Sequence, residues 1–152
     1  MSDQPEFYPM PSFPTLAVRD LGASSRWYQE ALGFSHVFTM PGPGGGAGLV
    51  HLRWAKYADL LLRASPPIDG KKGIGITLNY AVTDGALDAL AGRARKHGAT
   101  FVQEPGDRPW NARDFTVADP DGFALTFTMG PLKRDLTMDA LAGRIAKAEP
   151  PG

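Results

Sequence analysis

Residues 16–34 read LAVRDLGASSRWYQEALGF, and four of them decide the fold: Ala17-Val18-Arg19-Asp20 returns 64 positions later as Ala81-Val82-Thr83-Asp84. Each copy ends a short apolar strand and sets an aspartate at a helix N-cap, where its carboxylate accepts from the free first-turn amides. Each helical pattern stops at a glycine, Gly33 or Gly98, the residue best suited to the left-handed position after a helix. In the first helix Leu21, Ser25, Tyr28 and Leu32 share a face, and in the second Leu87, Leu90, Ala91 and Ala94 do. Three strand-like runs follow each helix, at 35–39, 48–54 and 59–63, then at 100–103, 114–118 and 123–129. The pattern is β-α-β-β-β twice over, a duplicated unit rather than a solenoid.

Around the repeat, residues 1–12 read as an extended arm, because Pro5, Pro9 and Pro11 bias their neighbours away from helix. The modules span 13–64 and 74–130, joined by the linker SPPIDGKKG at 65–73. Residues 131–152 form a last segment with an amphipathic helix over 136–148, carrying Leu141, Ala142 and Ile145 but weakened by Gly143. Lys plus Arg and Asp plus Glu both total 16, so no net charge draws the chain to nucleic acid or a membrane surface. There is no cysteine, which excludes disulfides, thiolate metal sites and a cysteine nucleophile. The opening MSDQPEFYPMPSF lacks the pattern of a signal peptide, and no window is apolar enough to span a membrane. The expectation is a soluble, cytoplasmic protein.

Strand alternation sorts the side chains. Val50, Leu52 and Trp54 point to one face and His51 and Arg53 to the other; Leu60 and Leu62 oppose Asp59, Leu61 and Arg63. In the second half Leu78, Tyr80 and Val82 oppose Thr77, Asn79 and Ala81. Phe115 and Val117 oppose Asp114 and Thr116, and Leu125, Phe127 and Met129 oppose Thr126 and Thr128. Each sheet thus has an apolar face for its helix and a polar face. That polar face either meets bulk solvent or curves around a wet cavity, and periodicity leaves both readings open. The run PGPGGGAG at 41–48 leads into the strand LVHLRW rather than a helix, so it is a hairpin connection and not a phosphate loop.

The stretches LAVRDLGASSRWYQEALGF and LNYAVTDGALDAL…HGATFVQEPGDRPWNARDFTVADPDGFALTF closely resemble the vicinal oxygen chelate superfamily, in its glyoxalase and bleomycin resistance protein branch. The resemblance covers 13–129. It implies an α+β fold of paired βαβββ modules whose curved sheets enclose a cavity, often in a homodimer. It also implies where metal-dependent members carry their ligands: seven residues before each helix-opening aspartate, here Phe13 and Thr77; late in the first module, where only Asp59 has a suitable donor; and seven residues after Asp119, at Thr126. Phenylalanine offers no donor atom and a neutral threonine hydroxyl is a poor ligand for zinc, nickel or ferrous iron. No metal and no cofactor is therefore expected.

Of the three histidines, His97 belongs to a helix end, His36 starts a strand and His51 faces the cavity as a hydrogen-bonding group, with a general-base role as the sharper alternative. Trp54 is expected in the core. Trp110 either stacks on a flat ligand or caps the sheet edge; Arg113 either approaches the cavity or pairs with a loop carboxylate; Asn111 is suited to orienting the loop. The expected ligand-binding set is His51, Arg53, Asp59, Arg63, Asn79, Trp110 and Asp114, with no catalytic residue. The function expected is sequestration of a small, antibiotic-like organic molecule in a dimeric groove. The arginines favour an anionic, aromatic or neutral ligand. A lyase, isomerase or dioxygenase with a nonstandard site is the alternative, and a regulatory protein that binds a peptide is a third reading.

Overall fold

The duplication read from the sequence is the organising feature of the computed structural model, which describes residues 4–66, 70 and 72–148. Parts of the expected arm (1–3), linker (67–69 and 71) and C-terminal segment (149–152) lie outside the described residues. The first module comprises β1 (Thr15–Val18), α1 (Leu21–Leu32), β2 (Ser35–Pro41), β3 (Ala47–Ala55) and β4 (Ala58–Ala64). The second comprises β5 (Thr77–Ala81), α2 (Leu87–Lys96), β6 (Thr100–Arg108), β7 (Ala112–Ala118) and β8 (Ala124–Met129), and α3 (Met138–Lys147) follows. The sheets have the same order, β1-β4-β3-β2 and β5-β8-β7-β6. In each, the first strand lies parallel to the last and the other pairs are antiparallel. This is the expected α+β fold of two βαβββ modules.

Local chemistry sets the boundaries, with two departures from expectation. Asp20 caps α1, accepting from Ala23 N at 2.9 Å, and Gly33 ends it in the left-handed region at φ 79°. Asp84 is not the cap of α2. Gly85 and Ala86 separate it from Leu87, whereas Leu21 follows Asp20 directly, so Ala86 holds the N-cap position with no side-chain bond. Asp84 instead accepts from Ala86 N at 3.0 Å, closing a turn before the helix. The second departure is β6, which runs on past residue 103 through Pro105 and Gly106. It is an edge strand whose pairing with β7 shifts register twice, and edges and bulges accommodate a missing amide. At the β2–β3 hairpin, a Cβ on Gly48 would lie 2.6 Å from Gly42 Cα, so the glycine run allows two strands of backbone to touch.

The apolar faces of both sheets and both helices join in one core. Leu52, Leu60 and Leu62 from the first module and Phe115, Leu125 and Phe127 from the second are fully enclosed. An aromatic chain crosses between modules: Phe34 lies edge-on to Tyr80 at 5.4 Å, Trp54 packs on Phe127 at 5.0 Å, and Tyr80 stacks on Phe127 at 5.5 Å. The Asp-Pro-Asp-Gly turn locks the modules. Asp119 Oδ1 accepts from the amides of Asp121 and Phe123 at 2.9 and 2.8 Å, while its Oδ2 accepts from the buried Tyr28 hydroxyl of α1 at 2.8 Å. Asp121 receives Arg19 and Lys72, and Arg93 of α2 donates to the terminal carbonyls of Glu30 and Gln29 in α1 at 2.7 and 3.0 Å. With the apolar faces joined this way, the polar face of each sheet points outward.

Candidate ligand-binding faces

On the first module's polar face, Arg53 and Asp59 are directly paired across β3 and β4, and His51 sits two residues along. Asp59 Oδ2 accepts from His51 Nε2 at 2.6 Å and from Arg53 Nε at 2.9 Å. Both His51 and Asp59 are buried, 3% and 2% exposed, which a strand face open to water would not produce. The cover is the N-terminal arm. Tyr8 donates its hydroxyl to Asp59 Oδ1 at 2.5 Å and accepts at the same oxygen from Tyr57 N at 2.8 Å. The Arg53 guanidinium lies 4.4 Å from the Tyr8 ring centroid and its Nη1 donates to the Glu6 carbonyl at 2.8 Å. Lys56 pairs with Glu6, and Phe7 meets Phe38, whose ring in turn lies edge-on to His51 at 5.4 Å.

The electrostatics follow from this geometry. Burial pushes the Asp59 carboxyl up, but hydrogen bonds from Tyr8, His51 and Arg53 outweigh it and hold the group below the usual carboxylate range. Desolvation and the bond to Asp59 push the Tyr8 phenol up. An ionised Asp59 only accepts, so the His51 Nε2 that faces it is the donor of that bond. The imidazole is thereby fixed as a support for Asp59, enclosed between Phe38 and the carboxylate. Arg63 lies exposed further along the same face.

The second module's polar face is more open. Thr77 and Asn79 are exposed, with Asn79 Nδ2 donating to the Thr77 carbonyl at 3.3 Å. Thr116 and Thr126, paired across β7 and β8, share a 2.6 Å hydrogen bond between hydroxyls. Asp114 is buried and accepts from Arg108 Nε at 2.8 Å. Trp110, 47% exposed, stands at the end of this face. With Ala81, Thr128, Met129, Leu136 and Leu141 it lines a groove of about 740 Å³ between the sheet and α3. Asn111 pins that groove's far wall, donating from Nδ2 to the Lys133 carbonyl at 2.8 Å and accepting from Lys133 N at 2.9 Å.

The structure therefore brings His51, Arg53 and Asp59 into one cluster, and places Asn79, Asp114 and Trp110 on or beside the other polar face. Among the described residues no hydrogen bond joins the two groups. Arg113 does not approach either polar face. It shares the side of β7 with Phe115 and Val117, and its guanidinium bonds Asp88 at 2.8 Å and Asp107 at 3.0 Å. Those bonds hold the Asp88 carboxyl below its ordinary range. Trp54 packs in the core as expected, its indole donating to the Ala81 carbonyl at 3.2 Å. His36 and His97 are exposed. Sequence reasoning missed Tyr8 and Arg108. The one signal for Tyr8 was a pair of aromatics, Phe7-Tyr8, among the prolines of an arm with no helix or strand pattern.

The donor set does not suit a divalent metal. Phe13 has no donor and is 43% exposed, Thr126 is bonded to Thr116, and Asp59 already receives three donors. Among the described residues no three His, Asp or Glu side chains gather as a metal site.

The comparisons with known proteins agree with this architecture. The family model for the Glyoxalase/Bleomycin resistance protein/Dioxygenase superfamily matches residues 12–127. The chain belongs to that superfamily. Among solved structures similar to this superfamily member, TioX from Micromonospora sp. ML1 is 24% identical with a TM-score of 0.62, covering 78% of this chain and 94% of TioX. The fosfomycin resistance protein FosX from Mesorhizobium loti is 17% identical with a TM-score of 0.62, covering 86% and 100%. A glyoxylase/bleomycin resistance protein/dioxygenase domain from Frankia sp. EAN1pec is 26% identical with a TM-score of 0.64, covering 78% and 95%. At such identities TioX and FosX share the fold. No curated protein matches the chain. Among the described residues no helix is long and apolar enough to cross a membrane.

Proposed function

We propose that this chain binds and sequesters a small organic molecule on its polar sheet faces, without a protein-held divalent metal and without catalysis. The observation that carries the reading is Asp59. It is a buried carboxylate fixed from below by His51 and Arg53, with its second oxygen turned outward to an aromatic hydroxyl. Such a preorganised acceptor, beside apolar surface, is how small-molecule sites set orientation. In this reading His51 and Arg53 hold Asp59, Arg63 extends the same face, and Asn79 and Asp114 supply polar contacts on the other. Trp110 supplies the apolar anchor. Residues 13–64 and 74–130 act as the two binding modules joined by 65–73, with 1–12 as an arm and 131–152 as an outer segment. A homodimer closes the groove, because the second module's polar face is open and a module of a second copy would cover it, beside the first face that the arm already overlies. The cytoplasm is the proposed location.

The resistance proteins among the family and its neighbours put antibiotic-like aromatics first in a search for the ligand. A thermal-shift screen of glycopeptides, quinones and aromatic antibiotics tests the reading, since a ligand at 100 times its dissociation constant stabilises by about 2.7 kcal/mol. Hits should be confirmed by calorimetry and remain unchanged by chelator. A screen with no shift, or turnover of a hit by the purified protein, would overturn it. Sedimentation at tens of micromolar should give a dimer; a monomer with binding intact would count against the closed groove.

A further inference from the structure

The arm makes a contact more specific than a cover requires. Within 4–10, Tyr8 is the residue that reaches under the Arg53 guanidinium and into the Asp59 cluster, while Glu6, Phe7 and Pro9 around it are exposed. Its oxygen does two opposite things at once. It donates to Asp59 Oδ1 at 2.5 Å and accepts from the Tyr57 amide at 2.8 Å. Its ring is sandwiched by chemistry suited to an electron-rich aromatic: the Arg53 guanidinium over its face at 4.4 Å and the Tyr57 ring edge-on at 4.9 Å. Tyr57 holds its amide there from the left-handed region, φ 68°, an unusual conformation for a tyrosine. The receptor side is rigid, built on the paired strands β3 and β4 with His51 behind it. The occupant side is held differently: among its described residues the arm has no helix or strand before β1, and it is attached here through the side-chain and carbonyl contacts of Glu6 and Tyr8.

We propose that this cluster is a phenol-recognition subsite, occupied by Tyr8 of the same chain until an external ligand bearing a phenolic hydroxyl displaces the arm. The inference rests on the reading that the polar faces bind the ligand, and it names that ligand's chemistry. A hydroxyl satisfies both Asp59 and the Tyr57 amide. A methyl ether accepts but leaves Asp59 Oδ1 without a donor; an N–H heterocycle donates but leaves the amide without an acceptor. Each mismatch leaves one of the two hydrogen bonds unmade, and the cost is larger on the Asp59 carboxylate, which is buried, than on the exposed Tyr57 amide. The arm then acts as a tethered competitor, lowering apparent affinity by the fraction of time the subsite is closed.

The test uses the full chain and its Tyr8→Ala variant, titrated by NMR with N-acetyl-tyrosinamide, its O-methyl ether and N-acetyl-phenylalaninamide, while following the Tyr57 amide. N-acetyl-tyrosinamide should bind Tyr8→Ala about tenfold or more tighter than the parent, the gain expected when a site closed roughly nine-tenths of the time is opened. The ether and the phenylalanine amide should bind both proteins weakly. Tyr8→Phe, which keeps the ring and loses the hydroxyl, should fall between. Equal affinity for parent and Tyr8→Ala, or equal binding of the phenol and its ether, overturns the subsite. If screen hits still bind after that result, the broader groove reading survives it. If nothing from the screen binds either polar face, that reading fails, and the Tyr57 response to N-acetyl-tyrosinamide still decides the subsite.

Discussion

Tyr28→Phe tests the joint between the modules, and with it the reason the Asp-Pro-Asp-Gly turn matters. The Tyr28 side chain is fully enclosed and donates to Asp119 Oδ2 at 2.8 Å, across 91 residues of sequence. Phenylalanine keeps the ring, so no cavity of consequence opens. It removes the donor that Asp119 Oδ2 has among the described residues, in a residue only 5% exposed. Stranding a buried acceptor costs about 1–3 kcal/mol, with charged acceptors toward the upper end. For a chain of this size about 2 kcal/mol corresponds to a fall in Tm of roughly 4–8 °C.

The deficit should depend on pH in a defined direction. Burial holds the Asp119 carboxyl above the ordinary range, while the bonds from Tyr28 and the Phe123 and Asp121 amides pull it back. A carboxyl whose folded-state pKa is raised favours folding below its unfolded value, and that contribution is lost as pH rises through the folded value. Removing the Tyr28 hydroxyl raises the group further and enlarges the loss at neutral pH. Urea denaturation at about pH 4, near the unfolded aspartate value, and at about pH 7 should give a small deficit at the first and the full deficit at the second. A deficit equal at both, or absent at neutral pH, would show that the hydroxyl does not stabilise an ionised Asp119.

Asp59→Asn should act in the opposite sense on the acid limb. The Asp59 carboxyl is held low, so its stabilisation is present above the unfolded value and lost as pH falls through the folded one; the variant should therefore lose stability at neutral pH and show a flatter stability profile below about pH 4. An unchanged acid slope would refute the pairing with His51 and Arg53. Trp110→Ala should weaken binding of a ligand found by the screen by roughly 1–3 kcal/mol while unfolding stays cooperative; an unchanged dissociation constant in calorimetry removes the loop from the site. Elemental analysis of protein purified without chelators should find well under one zinc, nickel, manganese or iron per chain, and added zinc should leave Tm in place. A stoichiometric ion held by side chains would overturn the donor-set argument.

The fold was legible because it is repeated. Two copies of a strand, an aspartate and a glycine-ended helix marked the modules, and alternation placed Leu52, Leu60, Phe115 and Phe127 on the enclosed side, where they lie. Where the copies differ, the repeat misled. The two residues inserted after Asp84 moved the cap of α2, and the run expected at 100–103 continues through Pro105-Gly106 because an edge position makes room for them. Arg113 is a different case: the alternation that placed Phe115 inward puts Arg113 on the same side, so its absence from the polar face was available from the sequence, though its partner Asp88 was not.

The candidate site was half legible for the same reason. His51, Arg53 and Asp59 could be grouped because strand geometry fixes neighbours two apart and across a hairpin. Tyr8 could not, because its contact with Asp59 spans 51 residues and rests on no period, only on a hydroxyl meeting a carboxylate. Periodicity finds what two modules have in common, which is the scaffold. Here the polar faces differ sharply: the Asp59 cluster of the first is covered by the arm, while the second ends at Trp110 and a helix with no buried residue. If ligand chemistry lies in those differences, two duplicated modules can supply two unlike halves of one groove, an aromatic-hydroxyl acceptor on one side and an apolar anchor on the other. Asp59→Asn should then erase preference among phenols while leaving apolar contacts, and Trp110→Ala should do the reverse. Two variants that shift every ligand equally would mean the halves do not meet around one molecule.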